Sequence, residues 1–311
     1  MSVSRADPVP ETLPPPGDAP RLVVFGLRCC FTDGVVAELE RHGLPPVAIL
    51  LPGPPGLRSP FRVQVPRRSL PMAVGETTRR FGSELVRYQI GRPGSAATLG
   101  LVHALEPDII AVACYPRRLP HDLYRIARLA AVNVHPSLLP SHRGPDPLFW
   151  TLREGTGEAG VSIHELVEEF DAGPILAQER VLFRDGTTES DLEHELASTG
   201  GRLLARTIQR LLDGPVDVVE QPSVGGSYES WPSDNDYVID TRRSARQAFN
   251  FIRGIAERGV PVGVRHDDST TWVRAAIGWS DVEPAVEPGH VAIRFTDGFL
   301  TVEPDGRWPD P

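Results

Sequence analysis

Short, wholly apolar runs recur along the first two thirds of the chain, separated by stretches with apolar residues at helical spacing. Residues 21–26 (RLVVFG) are the first such run and predict a short buried strand. Thr32 stands as an N-cap ahead of Val35, Val36 and Leu39, with a stop at Gly43, which predicts a helix. A second strand is expected over 46–51, with VAILL at its core. Strand, helix and strand joined by short connections make a βαβ unit and require parallel pairing. The pattern continues with a helix over 95–105, an apolar strand over 109–115 (IIAVACY) and a helix opened by Leu119-Pro120 and running to Leu129. Strands follow over 131–135, 160–166 and 175–182, and a long helix over 190–212 carries Leu192, Leu196, Leu203, Leu204, Ile208 and Leu211.

After residue 212 the pattern changes. Residues 213–232 hold three prolines and Gly225-Gly226, and beyond them come one helical stretch (244–255) and short β-type runs at 260–265, 270–277, 290–295 and 299–302. The expected architecture is α/β: a doubly wound, mainly parallel sheet, a Rossmann variant, followed by a smaller β-rich domain. The expected division is an arm over 1–20, a catalytic domain over 21–212, a linker over 213–225 and a small OB-like, truncated C-terminal domain over 226–311. The arm holds Pro8, Pro10, Pro14, Pro15, Pro16 and Pro20, and that density of proline predicts disorder.

With 311 residues, 40% hydrophobic and 23% charged, the composition is that of a globular chain with a full core. No apolar run reaches the length of a membrane span, and the first residues lack the basic head and apolar run of a secretory leader, so the expected location is the cytoplasm. All 32 cations are arginine, which excludes a lysine Schiff base and a P-loop lysine. Net charge is +5 over 1–130, −9 over 131–225 and −5 over 226–311, so the chain as a whole is no indiscriminate polyanion binder. Arg58, Arg62, Arg67, Arg68, Arg79 and Arg80 face only Glu76 in a basic, Pro/Gly-punctuated excursion over 52–80, whose reading is a solvated face. Cys29, Cys30 and Cys114 are too few for a disulfide framework or a four-thiolate zinc site, and no metal is expected.

The motifs narrow the chemistry. The turn after the first strand (GLRCCFTDG) lacks the G-x-G-x-x-G of a dinucleotide site. His164-Glu165-Leu166-Val167-Glu168 has glutamate where a zinc hydrolase needs its second histidine, so His164 reads as a core or surface histidine. There is no G-x-S-x-G elbow. The informative stretch is 131–178. Asn133 and His135, two apart on a strand, share a face. Pro136 ends the strand there, at the carboxyl edge where open α/β sheets form their ligand crevices. Asp171 follows in an acidic loop before Gly173-Pro174. Amide, imidazole and carboxylate together suit acyl transfer to an amine: a donor for the oxyanion, a proton carrier, and a carboxylate that orients or charges the imidazole.

NVHPSLLPSHRGPDPLFW at 133–150 and GVSIHELVEEFDAGPILAQ at 160–178 resemble the folate-dependent formyltransferase family, in its methionyl-tRNA formyltransferase and sugar-amine N-formyltransferase branch. The resemblance implies that Asn133, His135 and Asp171 are catalytic. It implies 10-formyltetrahydrofolate as cosubstrate, lying on backbone around Tyr115, Pro116, Leu119 and Pro120 and against the loop of Glu169, Phe170 and Asp171. Arg143 and Ser137 are the expected acceptor-binding residues. The partner it implies is an aminoacyl-tRNA, as in methionyl-tRNA formyltransferase, or alternatively a small-molecule amine such as a nucleotide-linked amino sugar. A formyltetrahydrofolate deformylase and an inactive folate-binding scaffold are further alternatives, and oligomeric state stays open. Departures are also visible: Pro116 stands where the family carries glycine, Pro145-Asp146-Pro147 replaces the small alanine-rich run of the tRNA enzymes, the 52–80 excursion has no lysine, and the C-terminal segment is acidic.

Overall fold

A computed structural model describes residues 19–63, 85–222 and 225–306. The proline-rich stretch up to residue 18 and Arg67, Arg68, Glu76, Arg79 and Arg80 lie outside the described residues. Strands β1 (Leu22–Gly26), β2 (Ala48–Pro52), β3 (Phe61–Val63), β4 (Arg87–Ile90), β5 (Ile109–Ala113), β6 (Ala130–His135), β7 (Glu158–Glu165) and β8 (Ile175–Leu182) form a sheet in the order β3-β4-β2-β1-β5-β6-β7-β8. The pairs β1/β2, β1/β5, β2/β4 and β5/β6 are parallel and β3/β4 is antiparallel. A second, five-stranded sheet contains β9 (Val238–Asp240), β10 (Val262–His266), β11 (Ser269–Ser280), β12 (Val291–Phe295) and β13 (Gly298–Pro304) in the order β12-β13-β11-β10-β9. The helices are α1 (Cys30–Arg41), α2 (Ala96–Leu105), α3 (His121–Tyr124), α4 (Pro147–Glu154), α5 (Glu189–Asp213) and α6 (Ala245–Gly254). The fold is therefore α/β with a mostly parallel sheet and a smaller β-rich part. Among the described residues no helix is long and apolar enough to cross a membrane.

Two compact units are present, and neither is continuous in sequence. The first takes the chain up to His135 with Ile163–Ala177 and Ala197–Glu220; the second takes Pro136–Ser162, Gln178–Leu196 and Gln221–Pro311. In the first, alternate residues of the central strands (Val23, Phe25, Ala48, Leu50, Ile110 and Val112) build one apolar face with Leu101, Val102 and Leu105 of α2. Helix α1 approaches α5 closely because Gly34 and Gly201 bring no side chain: a Cβ on Gly34 would lie 2.7 Å from that of Ala197, and one on Gly201 2.5 Å from that of Glu38.

Three local features differ from the expectation. Thr32 does not cap α1; Cys29 holds that position. Instead the Thr32 hydroxyl donates to the Ala113 carbonyl at 2.8 Å and accepts from the Leu27 N–H at 3.1 Å, tying the first turn to the end of β5. The expected helix to Leu129 shrinks to the single turn of α3. Backbone N–H groups of Arg128 and Leu129 bond to the carbonyls of Pro107 and Asp108, and the Arg128 Nε donates to Asp108 at 2.6 Å, so the chain folds straight into β6. Strands β3, β4 and β9, too short to show a period, have no counterpart in the pattern.

The second unit is organised round Phe149 of α4, fully buried and in edge contact with Phe251 at 5.5 Å between ring centroids. Asp146 caps α4 by accepting from the Phe149 N–H, Pro147 supplies the first turn, and Gly155 ends it in the left-handed conformation. Arg258 lies 5.0 Å above the Phe149 ring and bonds both Asp146 and Glu189. Burial disfavours its charge, but the two carboxylates outweigh that and hold its pKa above the ordinary arginine range. Nearby, His142 sits between Glu154 (Nε2 to Oε1, 3.4 Å) and Glu229 (Nδ1 to Oε1, 3.4 Å), while its N–H donates to the Ser227 hydroxyl at 2.8 Å. Burial works against the imidazolium, yet the flanking glutamates prevail and raise its pKa above 6.5.

Two predictions follow from these contacts. A group whose folded pKa is raised contributes stability that is complete below its unfolded value and is lost as pH climbs through the folded value. The urea midpoint of the native chain should therefore fall more as pH climbs above about 6.5 than that of His142→Gln; parallel curves would refute a stabilising role for Glu154 and Glu229 around His142. Thr32→Val leaves the Ala113 carbonyl and Leu27 N–H without their shared partner, and denaturation should report a loss of about 1–3 kcal/mol.

Candidate active site

Strand β6 lies between β5 and β7 and runs parallel to β5, so its last residues reach the carboxyl edge of the sheet. Asn133 and His135, two residues apart, project from the same side there, while Val132 and Val134 are buried in the apolar layer. The loop after β7 brings Asp171 to them in the left-handed conformation (φ 54°), which asparagine and aspartate tolerate better than most residues. The same loop is closed at Gly173, where a Cβ would fall 2.0 Å from the Glu165 carbonyl oxygen, and Glu165 N–H bonds the Pro174 carbonyl.

The result is a carboxylate oxygen with nitrogens on several sides. Asp171 Oδ1 accepts from Asn133 Nδ2 at 3.2 Å and stands 3.6 Å from His135 Nδ1. It stands 3.5 Å from a further group, His164 Nε2 on β7. The side chains of His135, His164 and Asp171 are only 5%, 2% and 10% exposed, so these interactions act in a medium poorer in water than the surface. The two imidazole rings stand edge to face, centroids 6.2 Å apart and planes at 76°. The structure thus brings the three expected residues together and adds a fourth. His164 is buried, as a core histidine would be, but it faces the polar cluster; Asn133 Nδ2 is 3.1 Å from its Nε2. A signal for it existed in the sequence. Along β7, Gly160, Ser162 and His164 alternate with the apolar Val161 and Ile163, and a buried polar row opposite an apolar one marks a strand facing something other than core.

The expected folate-binding residues form two loops of the same unit. Tyr115 packs its ring edge-on against Phe25 at 5.5 Å; burial pushes its phenol pKa up to about 12, and its hydroxyl oxygen is buried with no hydrogen-bond partner among the described residues. Pro116 is exposed, Leu119 is buried and Pro120 opens α3. Arg117 anchors this loop through the carbonyls of Gly91 (2.9 Å) and Gly53 (3.3 Å). Arg118 donates to the Glu168 carbonyl at 3.2 Å, joining the loop to the one that carries Glu169, Phe170 and Asp171. Glu169 is exposed and the Phe170 ring is half out of the protein, at 53%.

The expected acceptor-binding residues lie in the second unit and have partners of their own. Ser137 donates its hydroxyl to the Ser141 carbonyl at 2.7 Å. Arg143 donates from Nε and Nη2 to Gln221 Oε1 at 2.9 and 2.6 Å, and its backbone pairs with the segment around Tyr228. Among the described residues no three His, Cys, Asp or Glu side chains are grouped to hold a metal ion.

Residues 62–208 match the family model described as formyl transferase. The chain is 29% identical over 202 residues to methionyl-tRNA formyltransferase of Bacillus mycoides, covering 64% of this chain and 63% of that protein, so it spans just under two thirds of that relative's length. It is 30% identical over 242 residues to methionyl-tRNA formyltransferase of Lactobacillus delbrueckii subsp. bulgaricus, covering 72% of this chain and 74% of that one. Its fold resembles the crystal structure of the N-formyltransferase from Helicobacter canadensis in complex with folinic acid and dTDP-3-aminofucose, with a TM-score of 0.55 at 15% identity over 91% of this chain and 98% of that one. By sequence, then, the chain belongs to the formyl transferase family.

Proposed function

We propose that the protein transfers a formyl group from 10-formyltetrahydrofolate to a primary amine. The observation that carries this reading is the convergence of Asn133, His135 and Asp171 on one carboxylate oxygen at the carboxyl edge of the sheet. Bound, the folate would supply a formyl carbon on a nitrogen leaving group. The chain offers a fitting cradle: an unpartnered buried hydroxyl on Tyr115, an exposed aromatic ring on Phe170, and two loops bridged by Arg118. Tyr115, Pro116, Leu119 and Pro120 would hold one side of the pterin, and Glu169, Phe170 and the backbone of their loop the other.

The residues then have separable tasks. Amine attack on a carbonyl carbon builds negative charge on oxygen and positive charge on nitrogen. His135, with a carboxylate 3.6 Å from its Nδ1, is placed to donate to the oxygen while Asp171 steadies the charged ring. Asp171 also accepts the proton that the amine must lose, directly or through water, and that proton ends on the departing nitrogen. No protein nucleophile is needed, because the attacking amine is the substrate.

For the acceptor, the relatives at about 30% identity support an aminoacyl-tRNA, as in methionyl-tRNA formyltransferase. The second reading is a small-molecule amine such as a nucleotide-linked amino sugar. It is favoured by the net charge of −5 over 226–311, since a surface that follows a nucleic-acid backbone should be basic.

Turnover of 10-formyltetrahydrofolate with charged initiator tRNA and with a panel of nucleotide-linked amino sugars tests both. Product from one class assigns the acceptor, and donor consumption equal with and without amine would replace transfer by hydrolysis. Asp171→Asn and His135→Ala should each lower kcat by about 10²–10⁴-fold, while calorimetry shows folate affinity changed little. Full turnover in both variants would move the chemistry elsewhere.

A further inference from the structure

The hydrogen bonds around His164 settle which way the Asn133 amide faces. His164 Nδ1 lies 2.9 Å from the Glu165 carbonyl oxygen, which can only accept. Nδ1 therefore carries the hydrogen, and in the neutral ring Nε2 is left bare, an acceptor. Asn133 Nδ2, 3.1 Å away, donates to it. The same Nδ2 lies 3.2 Å from Asp171 Oδ1, also an acceptor. An amide nitrogen has two hydrogens, and both are now committed: one to His164, one to Asp171. The remaining polar atom of the side chain, Oδ1, makes no hydrogen bond to any described residue.

The alternative arrangement is worse by the same accounting. Turning the amide over would set its oxygen against the Asp171 carboxylate and against the bare ring nitrogen, two acceptors within hydrogen-bond distance. Protonating Nε2 would remove the acceptor that Asn133 uses and make the ring compete with the amide for Asp171 Oδ1, 3.5 Å away. The groups facing the His164 ring are Asn133, Asp171 and the edge-on ring of His135, so no other charge intervenes among the contacts described.

We propose that His164 is a positioning residue whose neutral, Nδ1-protonated ring locks the Asn133 amide so that its carbonyl oxygen, not its NH₂, is presented to the acceptor amine. This rests on the formyl-transfer reading above and deepens it. An amide oxygen accepts an N–H from the incoming amine and so orients the nitrogen lone pair toward the carbon under attack. The oxyanion is then left to His135, and Asn133 holds the nucleophile rather than the developing charge. His164 touches neither reactant; it acts through Asn133 and Asp171.

Two measurements on the full chain test it. Long-range ¹H–¹⁵N correlation of the histidine rings, assigned with a His164→Gln sample, should show His164 protonated at Nδ1 and bare at Nε2; a ring protonated at Nε2 overturns the proposal. Kinetics should show His164→Leu reduced about 10- to 100-fold in kcat, with KM for the folate nearly unchanged. His164→Gln, whose side-chain oxygen can accept from Asn133, should recover most of that loss. Leucine as active as the native enzyme, or glutamine no better than leucine, overturns the proposal. Should leucine fail to fold, the glutamine variant and the ring tautomer still decide. A chain that transfers formyl to no amine yet shows the Nδ1-protonated ring would defeat the functional reading while leaving the lock in place; a chain that transfers formyl with the opposite tautomer would do the reverse.

Discussion

One oxygen atom organises the candidate site. Asp171 Oδ1 lies within 3.6 Å of an amide nitrogen and two imidazole nitrogens, delivered by β6, β7 and the loop after β7. A carboxylate that is 90% shielded from water is expensive to leave unmatched, and the nitrogens of Asn133 and His135 offset part of that desolvation. The dependence is mutual. Without the carboxylate, Asn133 loses the acceptor for one of its hydrogens and His135 the charge that steadies its protonated form. The sheet matters chiefly because parallel pairing from β2 to β6 brings strand ends to a common edge where these groups meet.

Holding that oxygen in place demands a backbone most residues avoid. The left-handed turn at Asp171 persists because its surroundings over-determine it: Gly173 packs against the Glu165 carbonyl, Glu165 pairs with Pro174, and Arg118 holds the Glu168 carbonyl from the neighbouring loop. The second unit meets a similar problem with different means. Arg258 has two carboxylates and the face of Phe149 around it, a combination suited to a planar, delocalised cation and ill suited to a compact ammonium. In a chain without lysine, arginine fills such positions throughout.

Much of this was legible in the amino-acid order, for physical reasons. Buried parallel strands are apolar on both faces, so β1, β2 and β5 stand out as continuous runs, and the spacing of two between Asn133 and His135, closed by Pro136, places both on one face at a strand end. The long repeat of leucines defines α5 within a residue at each end. Other parts depend on partners distant in sequence. Leu119 to Leu129 has helical spacing, yet Asp108 and Pro107, across the turn, capture the backbone that the helix would have used. Thr32 looks like a cap until Ala113, far along the chain, offers its carbonyl. His164 reads as an ordinary core histidine because nothing adjacent to it shows that Asn133 and Asp171 lie opposite. β4 has only Tyr88 and Ile90 on its buried side, too few to reveal a period.

The conformation of Asp171 bears on how such a chain drifts over generations. A left-handed position admits aspartate, asparagine and glycine and penalises nearly everything else. A single-base transition turns an aspartate codon into an asparagine codon. Under the formyl transfer proposed above, the change that would most readily silence the centre is therefore one that leaves the left-handed turn a residue it admits and removes only the negative charge. A chain altered in that way would keep its scaffold intact around a silent centre.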